Sequence, residues 1–249
     1  MRRLCNLLIV ALGFLTVWNI ASFVCGDFPD MIPRVPGDSN VMVLMDLEKI
    51  AASPLAMRQG WMDKRKAAYA DSPLTFPPQV KKLIRAGHYD LESHLAKWQV
   101  ALMETGQIPS LETIAQKENG FVDTVADTST VCSPKGWYAF KVGSQALGMM
   151  FPANRQGVSR WIKEPPGRIS PYLLQASGAM GPAGPQLLLI MDLEDVVKPQ
   201  QLEERLGAKE SLKGLKNIPE IAQTVASCIG VRIAVSIREK ATGTLTVDF

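Results

Sequence analysis

Paired carboxylates are the residues of this sequence whose type and spacing best suit chemistry. Asp46 and Glu48 follow one apolar run, and Asp192 and Glu194 follow a second, each pair within the tetrapeptide Met-Asp-Leu-Glu. Four carboxylates brought together could act as general acid and base or bind calcium. At a junction between a strand and a helix, however, Asp caps the helix and Glu stabilises the positive end of the helix dipole. Capping explains the duplicated pattern without chemistry, and we prefer that interpretation.

The second candidate is the segment His88-Tyr-Asp-Leu-Glu-Ser-His94, which holds both histidines of the chain. If the segment spans a hairpin turn, the imidazoles could face each other beside Asp90 and Glu92, and zinc binds both imidazole nitrogen and carboxylate oxygen. A solvated polar turn has the same composition and is the preferred interpretation. The sequence also lacks the G-x-S-x-G, S-x-x-K, C-x-x-C, H-E-x-x-H and Walker motifs. It therefore predicts no catalytic residue, no metal ligand and no cofactor.

Tryptophan and cysteine side chains could serve binding or stability. A tryptophan-lined groove for a sugar or a peptide is one interpretation, but packing in the core or at a domain interface is preferred. Cys132 and Cys228 could form a disulfide outside the cytoplasm, stabilising the fold by roughly 4–5 kcal/mol. Two buried free thiols are the alternative. The tryptophans in question fall on separate predicted elements: Trp61, Trp98, Trp137 and Trp161.

The N-terminal segment predicts export. Arg2 and Arg3 precede a run without charge from Leu4 to Gly26, and Asp27 follows. A basic end, an apolar run and small residues at a boundary form a secretory signal, with cleavage before Asp27. The run is also long enough for a membrane-spanning helix, which needs roughly 20 residues, and the arginines would then orient the remainder outward. Both alternatives place the rest of the chain outside the cytoplasm, with the membrane as a partner through this segment.

Composition indicates a globular protein and argues against nucleic-acid binding. Hydrophobic residues make up 47% and charged residues 20% of the chain, close to the averages of soluble domains. The net charge is only +3, and no basic stripe of the kind that binds nucleic acid is present. A protein partner in the cell envelope fits this balance better.

The order of predicted elements favours an α+β fold with mostly antiparallel sheets and helices on one face. We expect a signal peptide or anchor at 1–26, a subdomain at 27–164, a linker at 165–185 and a second subdomain at 186–249. The chain stops inside its last predicted strand, an ending that a natural domain and a truncated one share. Val41–Ile50 and Leu187–Val196 share an apolar strand, Met-Asp-Leu-Glu and a following proline, which predicts an internal duplication of a strand–turn–helix unit.

Several stretches resemble a set of uncharacterised bacterial proteins that are exported or anchored. The stretches are Ile32-Pro-Arg-Val-Pro-Gly-Asp-Ser-Asn-Val-Met-Val-Leu-Met-Asp-Leu-Glu, Ser53-Pro-Leu-Ala-Met-Arg-Gln-Gly-Trp61, Ser170-Pro-Tyr-Leu and Met191-Asp-Leu-Glu-Asp195. The resemblance implies an export leader and a similar architecture, and it implies no activity.

Two functions follow as expectations. The first is a non-catalytic extracytoplasmic module that binds protein or envelope components or serves as a structural part of the envelope. The alternative is an extracytoplasmic hydrolase or metal-dependent enzyme that uses Asp46, Asp192 or the His88–His94 segment. The distance between the two aspartates separates these possibilities, because paired catalytic carboxylates lie within about 10 Å of each other.

Overall fold

A computed structural model shows how these elements assemble. It describes residues 28, 30–71, 77–90, 93, 95–194, 198–208, 210, 214 and 217–249. Within these ranges the chain forms a ten-stranded sheet and eight helices, and every pair of neighbouring strands is antiparallel. The predicted α+β class with an antiparallel sheet is therefore confirmed.

The strands follow the apolar and alternating runs of the sequence. Their bounds are β1 (Val41–Asp46), β2 (Val80–Asp90), β3 (Leu95–Thr105), β4 (Phe121–Val125), β5 (Thr128–Ser133), β6 (Trp137–Val142), β7 (Ala146–Phe151), β8 (Leu187–Asp192), β9 (Gly230–Ile237) and β10 (Ala241–Asp248). Their order across the sheet is β10-β9-β8-β1-β2-β3-β7-β6-β5-β4. The edge strands are therefore β10 and β4.

Five of the eight described helices begin at a polar side chain that caps them. A short 3-10 turn (Ile32–Arg34) precedes α1 (Leu47–Ala51), α2 (Pro54–Arg58), α3 (Trp61–Asp71), α4 (Leu111–Glu118), α5 (Arg155–Lys163), α6 (Pro171–Ser177), α7 (Pro199–Ala208) and α8 (Ile218–Ala226). In the five capped helices a side-chain oxygen of the N-cap residue accepts an amide proton of the first turn. The N-cap residues are Asp46, Ser53, Ser110, Asn154 and Ser170. Such caps satisfy amides that have no partner within the helix.

The stretch from Ser53 to Asp71 contains two helices and no single continuous one. Helix α2 ends at Arg58 and α3 begins at Trp61. Gly60 lies between them with φ +61°, a left-handed conformation that glycine adopts without steric cost. The chain therefore turns at this glycine, although the local composition is compatible with a continuous helix.

The sheet carries a core on each face, because successive side chains of a strand point to opposite sides. In β3, Val100 and Leu102 belong to the larger core, whereas Ala101 and Met103 belong to the smaller one. Helices α5 and α6 cover the larger core through buried side chains, as does the stretch from Phe28 to Val35. Helix α4 covers the smaller core. Helices thus lie against both faces, and the expectation of helices on one face is not confirmed.

The boundary predicted at 165–185 falls inside this continuous structure. The segment contains α6, and its Leu173 and Met180 are buried in the larger core. Strand β8, from the second predicted subdomain, pairs with β1, from the first, with Val41 opposite Met191. The division of the chain into two subdomains and a linker stays a prediction, although α6, within the segment at 165–185, is packed against the larger core.

Two predictions about the membrane need correction. Among the residues that the structure describes, no helix is both long enough and apolar enough to cross a bilayer. This finding overturns the expected transmembrane helix and the membrane partnership through it. Residues 1–26, on which both predictions fell, lie outside the described ranges.

Candidate functional site

The duplicated aspartates lie at opposite ends of neighbouring strands. The amide of Asp46 donates to the carbonyl of Gln186, and the amide of Asp192 donates to the carbonyl of Asn40. Six residues of extended chain separate these two positions along the strand pair, or about 20 Å at 3.3 Å per residue. The structure therefore does not bring the four carboxylates together, and the enzyme hypothesis loses its acid–base pair.

Each aspartate instead bonds to local backbone. Asp46 is buried, and its Oδ1 accepts the amide proton of Lys49 at 2.8 Å while its Oδ2 lies 3.1 Å from the Lys49 ammonium. Asp192 accepts the amide proton of Glu194 at 3.0 Å in a more exposed turn. Capping by Asp46 at the start of α1 is thus confirmed. Asp192 bonds an amide two residues later in the chain, whereas Asp46 bonds one three residues later.

The histidine segment is only partly described. His88 lies in β2, and its Nδ1 is 3.1 Å from the carbonyl oxygen of Asp38. Glu92 and His94 lie outside the described ranges. No group of histidine, cysteine and carboxylate side chains suited to a metal occurs in the described part of the chain. The zinc hypothesis therefore gains no geometric support from His88.

The tryptophans are divided between the two faces of the sheet. Trp161 packs edge-on against Phe140, with ring centroids 4.8 Å apart, and its Nε1 donates to the carbonyl of Arg34 at 2.7 Å. Trp137 is buried in the smaller core on the opposite face. Trp98 is half-buried and packs against the larger core. The tryptophans therefore do not line one common groove, because Trp98 and Trp161 lie on one face of the sheet and Trp137 lies on the other.

Of the two alternatives for Cys132 and Cys228, the structure has the free thiols and no disulfide between them. Cys132 lies in β5 and Cys228 precedes β9, and six strands separate β5 from β9 in the sheet. At about 4.8 Å per strand the two sulfurs are more than about 30 Å apart, far beyond the reach of a disulfide. Both cysteines are free thiols, and Cys228 is buried with its Sγ 3.3 Å from the carbonyl of Gly230.

A cavity of about 450 Å³ between the sheet and α4 is the best-formed candidate site. Its floor is the smaller core, and its apolar lining comes from β2, β3, β6, β7 and α4, with Tyr69 of α3. Met149 pairs with Ala101 on one side and with Ala139 on the other, and the short side chain of Ala139 lines the cavity beside Met149. The apolar lining residues include Met103, Ile114, Trp137, Leu147 and Met149.

Local hydrogen bonds hold the walls of this cavity. Ser110 caps α4, and Leu111 and Ala115 bury the inner side of that helix. At the opposite wall the guanidinium of Arg65, in α3, donates to the carbonyls of Pro77 and Val80 at 2.6 and 3.3 Å. Burial lowers the pKa of Arg65 from its ordinary value.

The rim of the cavity is polar. Glu118 is buried and forms a 2.8 Å ion pair with Lys135, while Lys117 is exposed beside it. Thr105 donates its hydroxyl proton to the carbonyl of Gln107 at 2.6 Å, which fixes the loop after β3. An apolar interior with polar groups at its mouth suits a ligand that has an apolar body and a polar end.

A second, larger depression lies on the other face. It has a volume of about 670 Å³ and lies between α5, the start of the described chain and the ends of β3 and β7. Its charged lining is mostly cationic, from Lys97, Arg160, Lys163 and Arg168, against Asp38 and Glu164. The carboxylate of Glu164 accepts a hydrogen bond from the amide of Gly37 at 2.9 Å. The four cationic residues are exposed, so this depression is a solvated surface and a weaker candidate.

A buried tyrosine marks a structural cluster near β4. Burial is the main cause that raises the pKa of Tyr138 to about 12, and hydrogen bonding with Cys132 is the second cause. Tyr138 also donates to Asp123 at 3.3 Å. The Arg155 guanidinium, 3.2 Å from the carboxylate, lowers the pKa of Asp123. A phenol that stays protonated and a carboxylate held by arginine are suited to joining α5 to β4, and poorly suited to exchanging protons near neutral pH.

Sequence reasoning did not identify the cavity. The lining residues Met103, Leu147 and Met149 lie in strands β3 and β7. The alternation of side chains in a strand is the same whether the helix that covers it packs tightly or leaves a cavity. Trp137 was identified as a candidate binding residue, but in a different groove. The weak signal in the sequence is Ala101 and Ala139, the small residues on either side of Met149.

Comparison with known proteins adds no functional information. No family model matches the sequence, and no curated protein does. Crystal structures of TP0453 in forms I, III and IV are similar in fold at TM-scores of 0.47 to 0.48, with 10 to 11% identity. The matches cover 87% of this chain and 77 to 79% of theirs. Likeness at this level carries no inference about function, and the resemblance to exported bacterial proteins stays a prediction.

Proposed function

We propose that this protein is a non-catalytic, extracytoplasmic binding module of the cell envelope. Its ligand places an apolar group in the cavity between the sheet and α4. The observation that carries the proposal is the cavity itself, about 450 Å³ in volume and lined by methionine, leucine, isoleucine and tryptophan side chains. Pockets of this size and lining bind small molecules or inserted apolar groups.

The chemistry of the lining supports binding over catalysis. Methionine side chains are flexible and polarisable, so Met103 and Met149 can adapt to apolar ligands of different shape. The acidic group at the mouth, Glu118, is paired with Lys135 at 2.8 Å. This ion pair engages Oε2 of Glu118 and fixes that side chain as part of the cavity mouth.

The internal duplication is a further part of the proposal. The strands β8 and β1 form a central pair. Beyond β8 the sheet continues with β9 and β10, and beyond β1 it continues with β2 and β3. Each half consists of a strand, two or more helices and an antiparallel hairpin. A two-fold relation between β1–β3 and β8–β10 supports descent from one repeated unit, with β4 to β7 inserted between the copies.

Binding of an uncharged apolar fluorophore, N-phenyl-1-naphthylamine, tests the cavity. We expect saturable binding to the full chain, with energy transfer from Trp137 to the probe. Met149→Trp places a larger side chain in the cavity beside Ala139. We expect it to weaken binding at least about tenfold, equivalent to about 1.4 kcal/mol. Binding that Met149→Trp leaves unchanged would contradict the proposed site.

Met57→Trp is the matched control for that substitution. Met57 lies in α2, is 64% exposed and does not line the cavity. The same change in side chain there should leave probe affinity within about twofold of the wild type. Circular dichroism of both variants establishes that they are folded. Equal loss of binding in the two variants would indicate that the probe binds elsewhere.

The proposed location has a separate test. Fractionation of the natively expressed protein, with N-terminal sequencing of the recovered species, should yield chains that begin at Asp27 in an extracytoplasmic fraction. A chain with Met1 or Arg2 intact in the cytosol would contradict export. A chain retained in the cytosol would not contradict the cavity proposal, because probe binding is measured separately on purified protein.

A further inference from the structure

In the part of the chain that the structure describes, β10 has no strand on its outer side, and this free edge is unlike the other edge of the sheet. Edge strands of native proteins are usually protected by charge, proline, bulges or short length. Strand β4 is short, with five residues, and carries Asp123. Strand β10 has eight residues, Ala-Thr-Gly-Thr-Leu-Thr-Val-Asp, with no charge or proline before Asp248. Its pairing with β9 runs without a bulge.

The hydrogen-bonding pattern of the hairpin shows which groups face that edge. The amide of Arg238 donates to the carbonyl of Lys240, so the even-numbered residues of β10 direct their backbone groups toward β9. In an antiparallel ladder the intervening residues direct theirs to the other side. The amides and carbonyls of Ala241, Gly243, Leu245 and Val247 therefore point away from β9, toward the free edge.

We propose that a second copy of this chain pairs with this edge, β10 against β10 in antiparallel orientation about a two-fold axis at Thr244. In this register Ala241 pairs with Val247 of the second copy and Gly243 pairs with Leu245. These are hydrogen-bonded pairs, and together they form about eight backbone hydrogen bonds. The result is one continuous sheet through two molecules, closed by symmetry.

Side-chain size fits this register. Leu245 is 64% exposed and Val247 is 43% exposed. Across the two-fold axis Leu245 lies opposite Gly243, and Val247 lies opposite Ala241, so each large side chain meets a small one. On the other face Thr242 lies opposite Thr246, and Thr244 lies opposite its own copy, a cross-strand pairing that stabilises sheets.

Charge also fits this register and selects it over its nearest alternative. Pairing about Thr244 places Lys240 opposite Asp248 of the second copy at both ends of the interface. The Asp248 carboxylate, which accepts bonds from Arg232 and Tyr172, then gains a second cation. Pairing about Leu245 would instead place Asp248 opposite Thr242 and Leu245 against itself. Opposite charges across a strand pair stabilise it, so the Thr244 register is favoured.

Sedimentation velocity of the full chain over a range of concentrations tests the dimer. We expect a reversible dimer, and Leu245→Lys should raise its dissociation constant at least about tenfold, since it places a charge at the edge. Val122→Lys is the matched control, because Val122 is 42% exposed on β4, the other edge. That variant should dimerise as the wild type does. A monomer at every concentration, or a dimer sensitive only to Val122→Lys, overturns the proposal.

Cysteine cross-linking tests the register. The residues facing each other at the two-fold axis have Cα atoms about 4.5 Å apart, within disulfide range. Thr244→Cys should therefore give a covalent dimer under oxidation that peptide mapping assigns to position 244, above the wild-type background. Leu245→Cys should cross-link far less. The reverse ranking would overturn the Thr244 register, and cross-linking of neither variant would overturn the edge pairing.

Discussion

The ring of Tyr172 lies directly against the backbone of Gly230, where a Cβ would overlap the ring carbons. Tyr172 belongs to α6 and Gly230 begins β9, so this contact joins the middle of the chain to its last hairpin. The phenol also donates to Asp248 at 2.7 Å. The contact therefore depends on the absence of a side chain at one position and on a hydroxyl at the other.

Gly230→Ala should destabilise the protein by about 1–3 kcal/mol, the usual cost of inserting a methyl group into a filled space. Urea unfolding measures the loss. Gly207→Ala is the control, because Gly207 lies in α7 with nothing within 4 Å of its missing Cβ. That substitution should stabilise the helix by about 0.5–1 kcal/mol. Equal effects at the two glycines would contradict the close contact with Tyr172.

The Asp248 carboxylate should make stability depend on pH in the acid range. Hydrogen bonds from Arg232 and then from Tyr172 hold its pKa below the ordinary value of 3.8. A lowered folded pKa means that the stabilisation is present above the unfolded value and is lost as pH falls through the folded value. The difference in unfolding free energy between wild type and Asp248→Asn should therefore shrink as pH falls below about 4. A difference that stays constant at acid pH would contradict this.

The two duplicated aspartates should differ in their effect on stability. Asp46 is buried, caps α1 and pairs with Lys49, so Asp46→Ala should cost about 1–2 kcal/mol. Asp192 bonds the amide of Glu194 in an exposed setting, so Asp192→Ala should change stability by less than about 0.5 kcal/mol. Thermal unfolding of both variants measures the contrast. Equal costs would indicate that the two turns are structurally equivalent.

The cysteines of the described chain should remain unpaired under oxidising conditions. Peptide mapping after alkylation without reduction should recover both Cys132 and Cys228 as alkylated thiols. In the folded protein Cys228 should react more slowly than Cys132, because Cys228 is buried whereas Cys132 is half-buried. A peptide linking the two cysteines would contradict the sheet order, which places six strands between them.

Local signals accounted for most of the secondary structure. The apolar run at Val41 predicted β1, and the predicted capping of the next helix by Asp46 is confirmed. These predictions succeed because alternation and capping depend on residues a few positions apart. The break at Gly60 could not be predicted in this way, since a glycine in a helical pattern is compatible with either a kink or an end.

The sequence by itself determined the strands, most caps, the repeated Met-Asp-Leu-Glu unit and the α+β class. Only the tertiary structure decided that β8 lies antiparallel to β1, which separates Asp46 from Asp192, and that β5 and β9 keep the two cysteines apart. It also decided that α4 leaves space above Met149. The physical reason is that the choice of partner between strands distant in sequence depends on the whole sheet. The alternation of side chains within a strand is the same whichever strand lies beside it.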